Sequence, residues 1–409
     1  MRMIEAKYEE LKKDNNASYP LLMAMSCVQV VLIVFGGFGN ILLLAAVRRC
    51  RHLQRDRIYF VVNLAIFDVI LCLFTQPFGI ARLMQRYGGW SLGAWACKLV
   101  NCITGINMFG SSFSIAAIAL DRMRCVLFPT RPPLSSRCLA LLLLAIWLTS
   151  LLLSCPLLAF ANAVPDPMAL ERNGQTLYFC SEGFDTYHSA KLFYSCVTLL
   201  LQFLLPLICI AGSNVAIHCR LQQRMRKRRR HLSQNQFRSR RRFRVSLMLG
   251  VIAAGFALAW LPLTVSNAVH DYSNWRQWLL WQQNRSSSDE VSKSQQQQQQ
   301  QPLLGDRNAE LHSLCLTVIL VSPCINATVY GFFNDKLKEQ YRNILRELLH
   351  KFINVWRRFR SLCNPVCHLH QDAAIESPLR SASTESVKDE GVNEVAVRSC
   401  SCGSCKIEE

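Results

Sequence analysis

Apolar residues in this chain are concentrated in seven blocks separated by polar segments. Each block is long enough to cross roughly 30 Å of hydrocarbon as a helix, which takes about 20 residues. The pattern therefore predicts an all-α membrane protein, a seven-transmembrane helix bundle within residues 22–333. The predicted spans are 22–47, 58–83, 95–120, 138–160, 191–216, 245–268 and 311–333.

The basic residues predict how this bundle is oriented. The chain has a formal net charge of +19, and the segment 219–244 between spans five and six is rich in Lys and Arg and contains no acid. By the positive-inside rule this loop is cytoplasmic, so residues 1–21 lie outside the cell and the C-terminus lies inside. No cleaved signal peptide is expected because residues 1–20 lack an apolar core. A basic run held between two membrane helices does not indicate nucleic-acid binding.

Polar segments outside the spans predict four further features. The Gln-rich segment 271–310 is expected to be a disordered outer loop. Asn16 and Asn284 begin glycosylation sequons. Residues 334–350 place apolar side chains at helical spacing opposite Lys and Arg, which predicts an amphipathic helix on the inner membrane surface. The remaining segment 351–409 is expected to be a disordered cytoplasmic tail open to phosphorylation.

Most of the cysteines lie within spans or on the reducing cytoplasmic side, so they do not form a disulfide scaffold. Cys97 and Cys180 are both predicted on the oxidising face, where they are either paired or free buried thiols. Cys363 and Cys367 are candidates for palmitoylation. A zinc site in CNPVCHLH, which begins at Cys363, is the competing interpretation, and its spacing suits four tetrahedral ligands poorly.

An ionisable group inside a span is costly without partners, so each one marks a candidate site. Asp68 is the acid far from either end of its predicted helix, and Asn40, Asn107, Ser111 and Asn326 can supply oxygen or amide partners. A carboxylate among such groups forms either a small-cation site or a protonated, hydrogen-bonded acid. The sequence alone leaves both interpretations open.

Spans three and six carry two further patterns. Asp121 and Arg122 lie about 37 Å of helix beyond Cys97, at the predicted cytoplasmic boundary. In FALAWLP, Phe256 and Trp260 share one helix face beside Pro262, so the helix is bent next to an aromatic pair. The alternatives are a snorkelling helix end for the first pattern and a packed core with a tolerated kink for the second.

Taken in order, these motifs resemble those of the rhodopsin-like (class A) G protein-coupled receptors. The matches extend from span one to the end of span seven, with at least one match in each helix. They are Gly39-Asn40, NLAIFD ending at Asp68, WSLGAWACK around Cys97, Asp121-Arg122-Met123, Trp147, Pro206, FALAWLP from Phe256, and NATVYGFFND from Asn326.

The resemblance implies roles for residues throughout the bundle. Cys97 and Cys180 match the outer disulfide. Asp68, Ser111 and Asn326 match an allosteric sodium pocket, and no other cofactor or metal is implied. The matches to the G protein coupling and switch residues are Asp121, Arg122, Phe256, Trp260 and Tyr330, with Pro323 standing one turn before the usual proline position.

Within this family, the motifs are similar to those of neuropeptide Y, neuropeptide F and related RF/RY-amide receptors. Thr104 stands where amine receptors carry an aspartate, and residues 311–333 lack the lysine that opsins need for retinal. The resemblance implies that Asp271 pairs with an arginine near the peptide C-terminus and that Asn267 also contacts that end. Asp271 can alternatively be a solvated loop acid. Further predicted pocket residues are Thr104, His312, Glu182 and Trp260.

The functional hypothesis is a plasma-membrane receptor, not an enzyme, that binds an extracellular amidated neuropeptide. Its expected partners are the lipid bilayer, a heterotrimeric G protein of inhibitory type, arrestin and receptor kinases. One alternative is a receptor-like protein with another ligand or altered signalling, since Met123 and Asn214 depart from the family pattern. A transporter or channel is disfavoured because the sequence shows no internal repeat.

Overall fold

The computed structural model describes residues 2–49, 58–81, 90–128, 130–132, 134–165, 178–181, 188–227, 232–285, 305–333 and 335–363. The chain divides into two compact units, Met1–Glu347 and Leu348–Glu409. The helix bundle and its candidate sites lie in the first unit. The described part of the second unit, residues 348–363, is helical.

Seven helices in the described part of the chain are long and apolar enough to cross a membrane, which confirms the predicted bundle. The bounds are α1 Arg2–Arg49, α2 Tyr59–Ala81, α3 Gly93–Leu127, α4 Ser136–Phe160, α5 His188–Lys227, α6 Leu232–Arg285, and α7 as the two segments Gly305–Ile319 and Val321–Phe333. Two of these helices, α2 and α5, contain a wider π-helical turn, at Leu71–Thr75 and Leu200–Leu204.

Several helices continue beyond the predicted spans. Helix α6 reaches Arg285, so residues 271–285 are helical and not part of a disordered loop, and Asn284 lies on a helix. Helix α5 extends to Lys227 and α6 begins at Leu232, so most of the predicted inner loop is helical as well. Hydropathy marks where a helix is in lipid, whereas its end depends on residues that stop a helix, and neither Gly nor Pro follows Pro262 before Arg285.

The eighth helix, α8, spans Asp335–Cys363. It continues past the predicted end at residue 350, which corrects the expectation of disorder for residues 351–363. The helix ends two residues before Pro365, and a proline disfavours the helical conformation in the residue that precedes it. Within the first unit, Leu337 is buried, Tyr341 packs against Gly331, and burial raises the pKa of the Tyr341 phenol.

Helix α8 makes an ion pair with α1 and carries a row of exposed apolar side chains. Arg49 on α1 donates two hydrogen bonds to the Glu347 carboxylate, at 2.8 and 2.7 Å. The exposed apolar residues of α8 are Leu345, Leu348, Leu349, Phe352, Val355, Trp356 and Phe359. The amphipathic placement of this helix on a membrane surface stays a prediction.

A short antiparallel hairpin joins α4 to α5 and was not predicted. Its strands are β1 Asn162–Pro165 and β2 Tyr178–Ser181, with Ala163 opposite Cys180. The Trp90 amide donates to the Tyr178 carbonyl at 2.6 Å, which ties the start of α3 to the hairpin. Strands of four residues carry too little alternation to be recognised from hydrophobic periodicity.

Helix α3 packs against α2, α4 and α5 and supplies buried residues along most of its length. Gly110 lies close to α2, since a Cβ added there would lie 2.2 Å from Cζ of Phe67. The Phe67 ring in turn stacks on Trp147 of α4, with centroids 4.5 Å apart. Asn63 accepts a hydrogen bond from the Trp147 indole at 3.0 Å and donates one to Ser114 at 2.8 Å. These contacts join α2, α3 and α4 into one packed layer.

The Gly110→Ala variant is expected to lose about 1–3 kcal/mol of stability, because the new methyl group meets a ring that is itself held by Trp147. Thermal unfolding of the detergent-solubilised protein measures this loss. Gly250→Ala is the matched control, since nothing lies within 4 Å of the added Cβ on α6. Equal melting temperatures for the two variants would show that the α2–α3 contact relaxes without cost.

Candidate functional site

One end of the bundle, here called the disulfide end, carries the Cys97–Cys180 bond. Both cysteines are buried, and the bond fixes β2 to the first turn of α3, which confirms the implied pairing. Asn101 donates to the Cys97 carbonyl at 2.9 Å, one turn further along α3. The hairpin is thereby held across this end of the bundle.

Asp271 lies on α6 at the disulfide end and is 4% exposed. The Lys191 ammonium of α5 is 3.3 Å from its Oδ1. The Ser195 hydroxyl, one turn along α5, donates a short hydrogen bond to Oδ2. The alternative of a solvated loop acid is therefore wrong, because this carboxylate is buried and engaged by a cation and a hydroxyl.

The other predicted pocket residues have different surroundings. Asn267 is half-buried one helical turn from Asp271. Thr104 is half-buried on α3, and its hydroxyl donates to the Val100 carbonyl at 2.7 Å. Glu182 and the side chain of His312 lie outside the described residues. The structure thus places Asp271 and Asn267 on one helix and leaves their grouping with His312 and Glu182 a prediction.

Below this end, α5 and α6 meet in an aromatic cluster. Trp260 and Phe256 are buried with ring centroids 6.0 Å apart, and Phe256 lies 6.4 Å from Phe203 of α5. Phe203 lies within the π-helical turn at Leu200–Leu204, which displaces α5 from regular helical phase at this contact. The predicted switch residues Phe256 and Trp260 are therefore adjacent in the core.

Gln202 and Thr264 form a polar link in this cluster that the sequence interpretation missed. The Thr264 hydroxyl lies 3.2 Å from Gln202 Oε1 and 3.0 Å from the Trp260 carbonyl, whereas Ser112 donates to the Gln202 carbonyl at 2.7 Å. Gln202 is fully buried. An amide inside the apolar run LLLQFLL was the available signal, because a polar group within a span needs partners.

Asp68 lies deep in the bundle, 2% exposed, and accepts a hydrogen bond of 2.9 Å from Nδ2 of Asn326. This contact brings together two of the three predicted sodium-pocket residues. Ser111 is buried on α3 and is not among the hydrogen-bond partners shown for Asp68. One turn away on α3, Asn107 is buried, and neither polar atom of its side chain has a partner among the described residues.

Two further amide oxygens, Asn40 Oδ1 and Asn326 Oδ1, are also buried without a partner in the described part of the chain. Carboxylate and amide oxygens suit a small hard cation, and a cation would satisfy groups that are costly to bury unpaired. Asp68 and Asn326, which the structure brings together, therefore fit a sodium ion chemically. Within the described residues no cluster of three or more His, Cys, Asp or Glu residues is arranged for a metal.

Helix α7 is interrupted at Leu320, between its two segments. Pro323 explains the break, since it has no N–H to bond the carbonyl four residues earlier. Asn40 on α1 donates to the Pro323 carbonyl at 3.1 Å and to the Gly36 carbonyl at 2.9 Å. The predicted displacement of the bend toward Pro323 agrees with this geometry.

The opposite end of the bundle, here called the arginine end, carries Asp121 and Arg122. Asp121 is buried and accepts a long hydrogen bond of 3.9 Å from the Cys125 thiol, and Arg122 is half-buried. The Tyr330 hydroxyl is buried with no hydrogen-bond partner among the described residues. The grouping of Arg122 on α3 with Tyr330 on α7 into one coupling site stays a prediction.

The candidate modification sites remain predictions. Asn16 and Asn284 lie on helices, with side chains outside the described set. Cys363 is the last residue of α8, and Cys367 lies beyond the described chain. The residues of the competing zinc site that follow Cys363 also lie outside the described residues.

Comparison with known proteins identifies relatives with the same motifs. Residues 39–330 match the profile of the 7 transmembrane receptor (rhodopsin family), which is more than half of the chain. The Neuropeptide F receptor of Drosophila melanogaster is 28% identical over 322 residues, covering 77% of this chain and 61% of that receptor.

Two vertebrate receptors are similar over comparable regions. The Neuropeptide Y receptor type 6 of Oryctolagus cuniculus is 28% identical, covering 81% of this chain and 87% of its own. The Neuropeptide FF receptor 2 of Mus musculus is 24% identical, covering 77% and 70%. Together with the seven spans and the disulfide, the profile match shows that the chain belongs to the rhodopsin family of seven-transmembrane receptors.

Proposed function

We propose that this chain is a plasma-membrane receptor that binds an extracellular, C-terminally amidated neuropeptide and activates a heterotrimeric G protein. The disulfide end faces the outside, and the arginine end and C-terminus face the cytoplasm. Receptors of this family are not enzymes. The ligand acts by binding one conformation of the helix bundle more tightly than another.

Asp271 carries the proposal for the ligand. A carboxylate buried at the disulfide end and held by a lysine is a site built for a positive charge. The relatives are named for neuropeptide F, neuropeptide Y and neuropeptide FF. A peptide arginine next to an amidated C-terminus supplies the cation, and its charge-assisted hydrogen bonds are strong in a partly dry pocket.

The signalling path begins at Trp260 and Phe256 and ends at the arginine end. In this mechanism α6 moves relative to α5 at the aromatic cluster, where Thr264 contacts Gln202 and Phe256 contacts Trp260. The movement changes the surface around Arg122 that is offered to the G protein. A G protein of inhibitory type is the expected partner there. Arrestin and receptor kinases are the expected partners of the tail, which lies outside the described residues.

The test is a cell assay of calcium and cyclic AMP with synthetic peptide amides ending in Arg-Phe and Arg-Tyr. Both second messengers are recorded in cells with confirmed surface expression and in cells that lack the receptor. A receptor-dependent response supports the proposal. Silence of a well-expressed receptor, despite measured peptide binding, would favour the receptor-like protein with altered signalling, for which Met123 and Asn214 are the sequence evidence.

We also propose that Asp68, Asn326 and Ser111 hold an allosteric sodium ion. The supporting observations are the buried Asp68 carboxylate and the buried, unpartnered Oδ1 of Asn326, whose amide nitrogen donates to that carboxylate. Replacing NaCl with the chloride of a bulky organic cation is expected to raise agonist affinity, if the ion binds the unliganded bundle more tightly than the agonist-bound bundle. Asp68→Asn should remove this salt effect. An affinity of the unmodified receptor that does not change with sodium would refute the site.

A further inference from the structure

The carboxylate of Asp271 is already occupied. Its two oxygens are engaged separately, Oδ1 by the Lys191 ammonium and Oδ2 by the Ser195 hydroxyl. Any ligand cation that is to reach Asp271 must therefore share the carboxylate or replace its present cationic partner.

We propose that Lys191 is an affinity-determining residue, a built-in competitor that lowers the affinity of every ligand whose cation binds Asp271 and leaves the affinity of an uncharged ligand unchanged. The inference rests on the proposed function, since it requires that a ligand cation reaches Asp271. In this arrangement, a cation of the ligand must displace Lys191, and an arginine does so more effectively than a lysine.

Exposure indicates which partner moves. The Lys191 side chain is 19% exposed and that of Asp271 is 3% exposed, so the ammonium lies nearer to water than the carboxylate. A displaced ammonium on a flexible stem regains its hydration when it turns outward. The buried carboxylate has no such alternative, because an unpaired buried charge is costly. The ligand therefore exchanges with Lys191 and leaves Asp271 in place.

Geometry indicates why a guanidinium succeeds. An ammonium is a point charge, and here its nitrogen lies 3.3 Å from Oδ1 of the carboxylate. A guanidinium is a planar fork that donates two parallel hydrogen bonds to a carboxylate. Oδ2 retains a free lone pair beside the Ser195 hydroxyl, so a fork can engage both oxygens while Ser195 keeps its orientation. A second ammonium would only replace the one already present.

The experiment compares three peptide amides ending in Arg-Phe, Lys-Phe and citrulline-Phe, by competition binding on full-length receptor in membranes. In Lys191→Gln, affinity for the Arg peptide is expected to rise about tenfold. This is the expected gain if Lys191 leaves the Asp271 carboxylate free for about one tenth of the time in the unmodified receptor. Affinity for the Lys peptide should also rise, by no more than the same factor, because both ligand cations require the same free carboxylate. The uncharged citrulline peptide should bind unchanged.

Lys191→Arg strengthens the competitor instead of removing it. Because it keeps the positive charge beside Asp271, a changed affinity in this variant cannot be attributed to an unpaired buried carboxylate. Its own guanidinium holds Asp271 by two bonds, and it is expected to lower affinity for the Arg peptide. Lys98→Gln is the matched control, because Lys98 is a lysine of the disulfide end that donates to the Ala159 carbonyl at 3.3 Å. Its three affinities should equal those of the unmodified receptor.

The outcomes separate this inference from the proposed function. If Asp271→Asn weakens the Arg peptide selectively while Lys191→Gln and Lys191→Arg bind all three peptides like the unmodified receptor, competition by Lys191 is overturned and Asp271 remains the ligand acid. If Asp271→Asn weakens the Arg and citrulline peptides equally, the proposed ligand contact itself fails. Equal losses for all three peptides in Lys191→Gln would assign Lys191 a structural role only.

Discussion

Asp271→Asn is expected to lower affinity for a peptide amide ending in Arg-Phe by about 100-fold, while the citrulline analogue loses little. The substitution removes the charge and nearly preserves the shape of a side chain that is 4% exposed. Truncating one partner of a buried charge pair costs about 2–5 kcal/mol, and about 2.7 kcal/mol corresponds to a factor of 100. Competition binding on full-length receptor measures both affinities.

The control for this variant is the double substitution Lys191→Gln with Asp271→Asn. It removes the ammonium that Asp271→Asn leaves without its carboxylate partner, and the ratio of Arg to citrulline affinity should match that of the single variant. Similar losses for both peptides would mean that Asp271 supports the fold and does not meet the ligand.

Moving the proline of α7 is expected to change basal signalling about fivefold, equivalent to about 1 kcal/mol in the balance of two conformations. The variant is Pro323→Ala combined with Ala327→Pro, which shifts the bend one turn, about 5.4 Å, toward the arginine end. Basal and peptide-driven G protein activation in cells with matched surface expression measures the change. The fold should survive, because both residues lie in one helix, Val321–Phe333.

Asn40 is the reason for an effect of this size. It donates to the carbonyl of residue 323, and the backbone N–H of residue 327 is the helical donor to the same carbonyl. Proline at 327 removes that donor, so the side chain on α1 becomes the principal partner of the α7 backbone. Pro156→Ala, at a proline within α4, is the control and should leave signalling unchanged. Unaltered basal and peptide-driven signalling in the double variant would show that the proline position is neutral.

The sequence was sufficient for features that are set by composition or by a local motif. Seven membrane-length apolar blocks predict seven helices, because a lipid-exposed backbone must satisfy its hydrogen bonds internally. The family motifs placed Cys97 with Cys180 and Asp68 with Asn326, and the structure shows both contacts. Pro323 likewise predicted where α7 bends.

Other features depend on contacts that no local pattern carries. The Lys191–Asp271 pair joins two helices far apart in the sequence, so the prediction treated Asp271 as an acid awaiting a ligand and missed its resident partner. The hairpin at Cys180 is too short for periodicity, and the extension of α6 to Arg285 lies beyond the region that hydropathy describes. The sequence shows Gln202 as a polar residue in an apolar run. Its contacts with Thr264 and Ser112 could not be predicted, because the three residues lie on three different helices.

Nucleotide exchange by a purified G protein is the most direct measurement of whether this chain is a peptide-gated receptor. Full-length receptor in lipid nanodiscs is combined with an inhibitory-type heterotrimer, and exchange is timed with and without the Arg-Phe peptide amide. We predict that the peptide accelerates exchange with the unmodified receptor and that the same peptide concentration has little effect with Asp271→Asn. Saturating peptide binding without any acceleration of exchange by the unmodified receptor would contradict the proposed function.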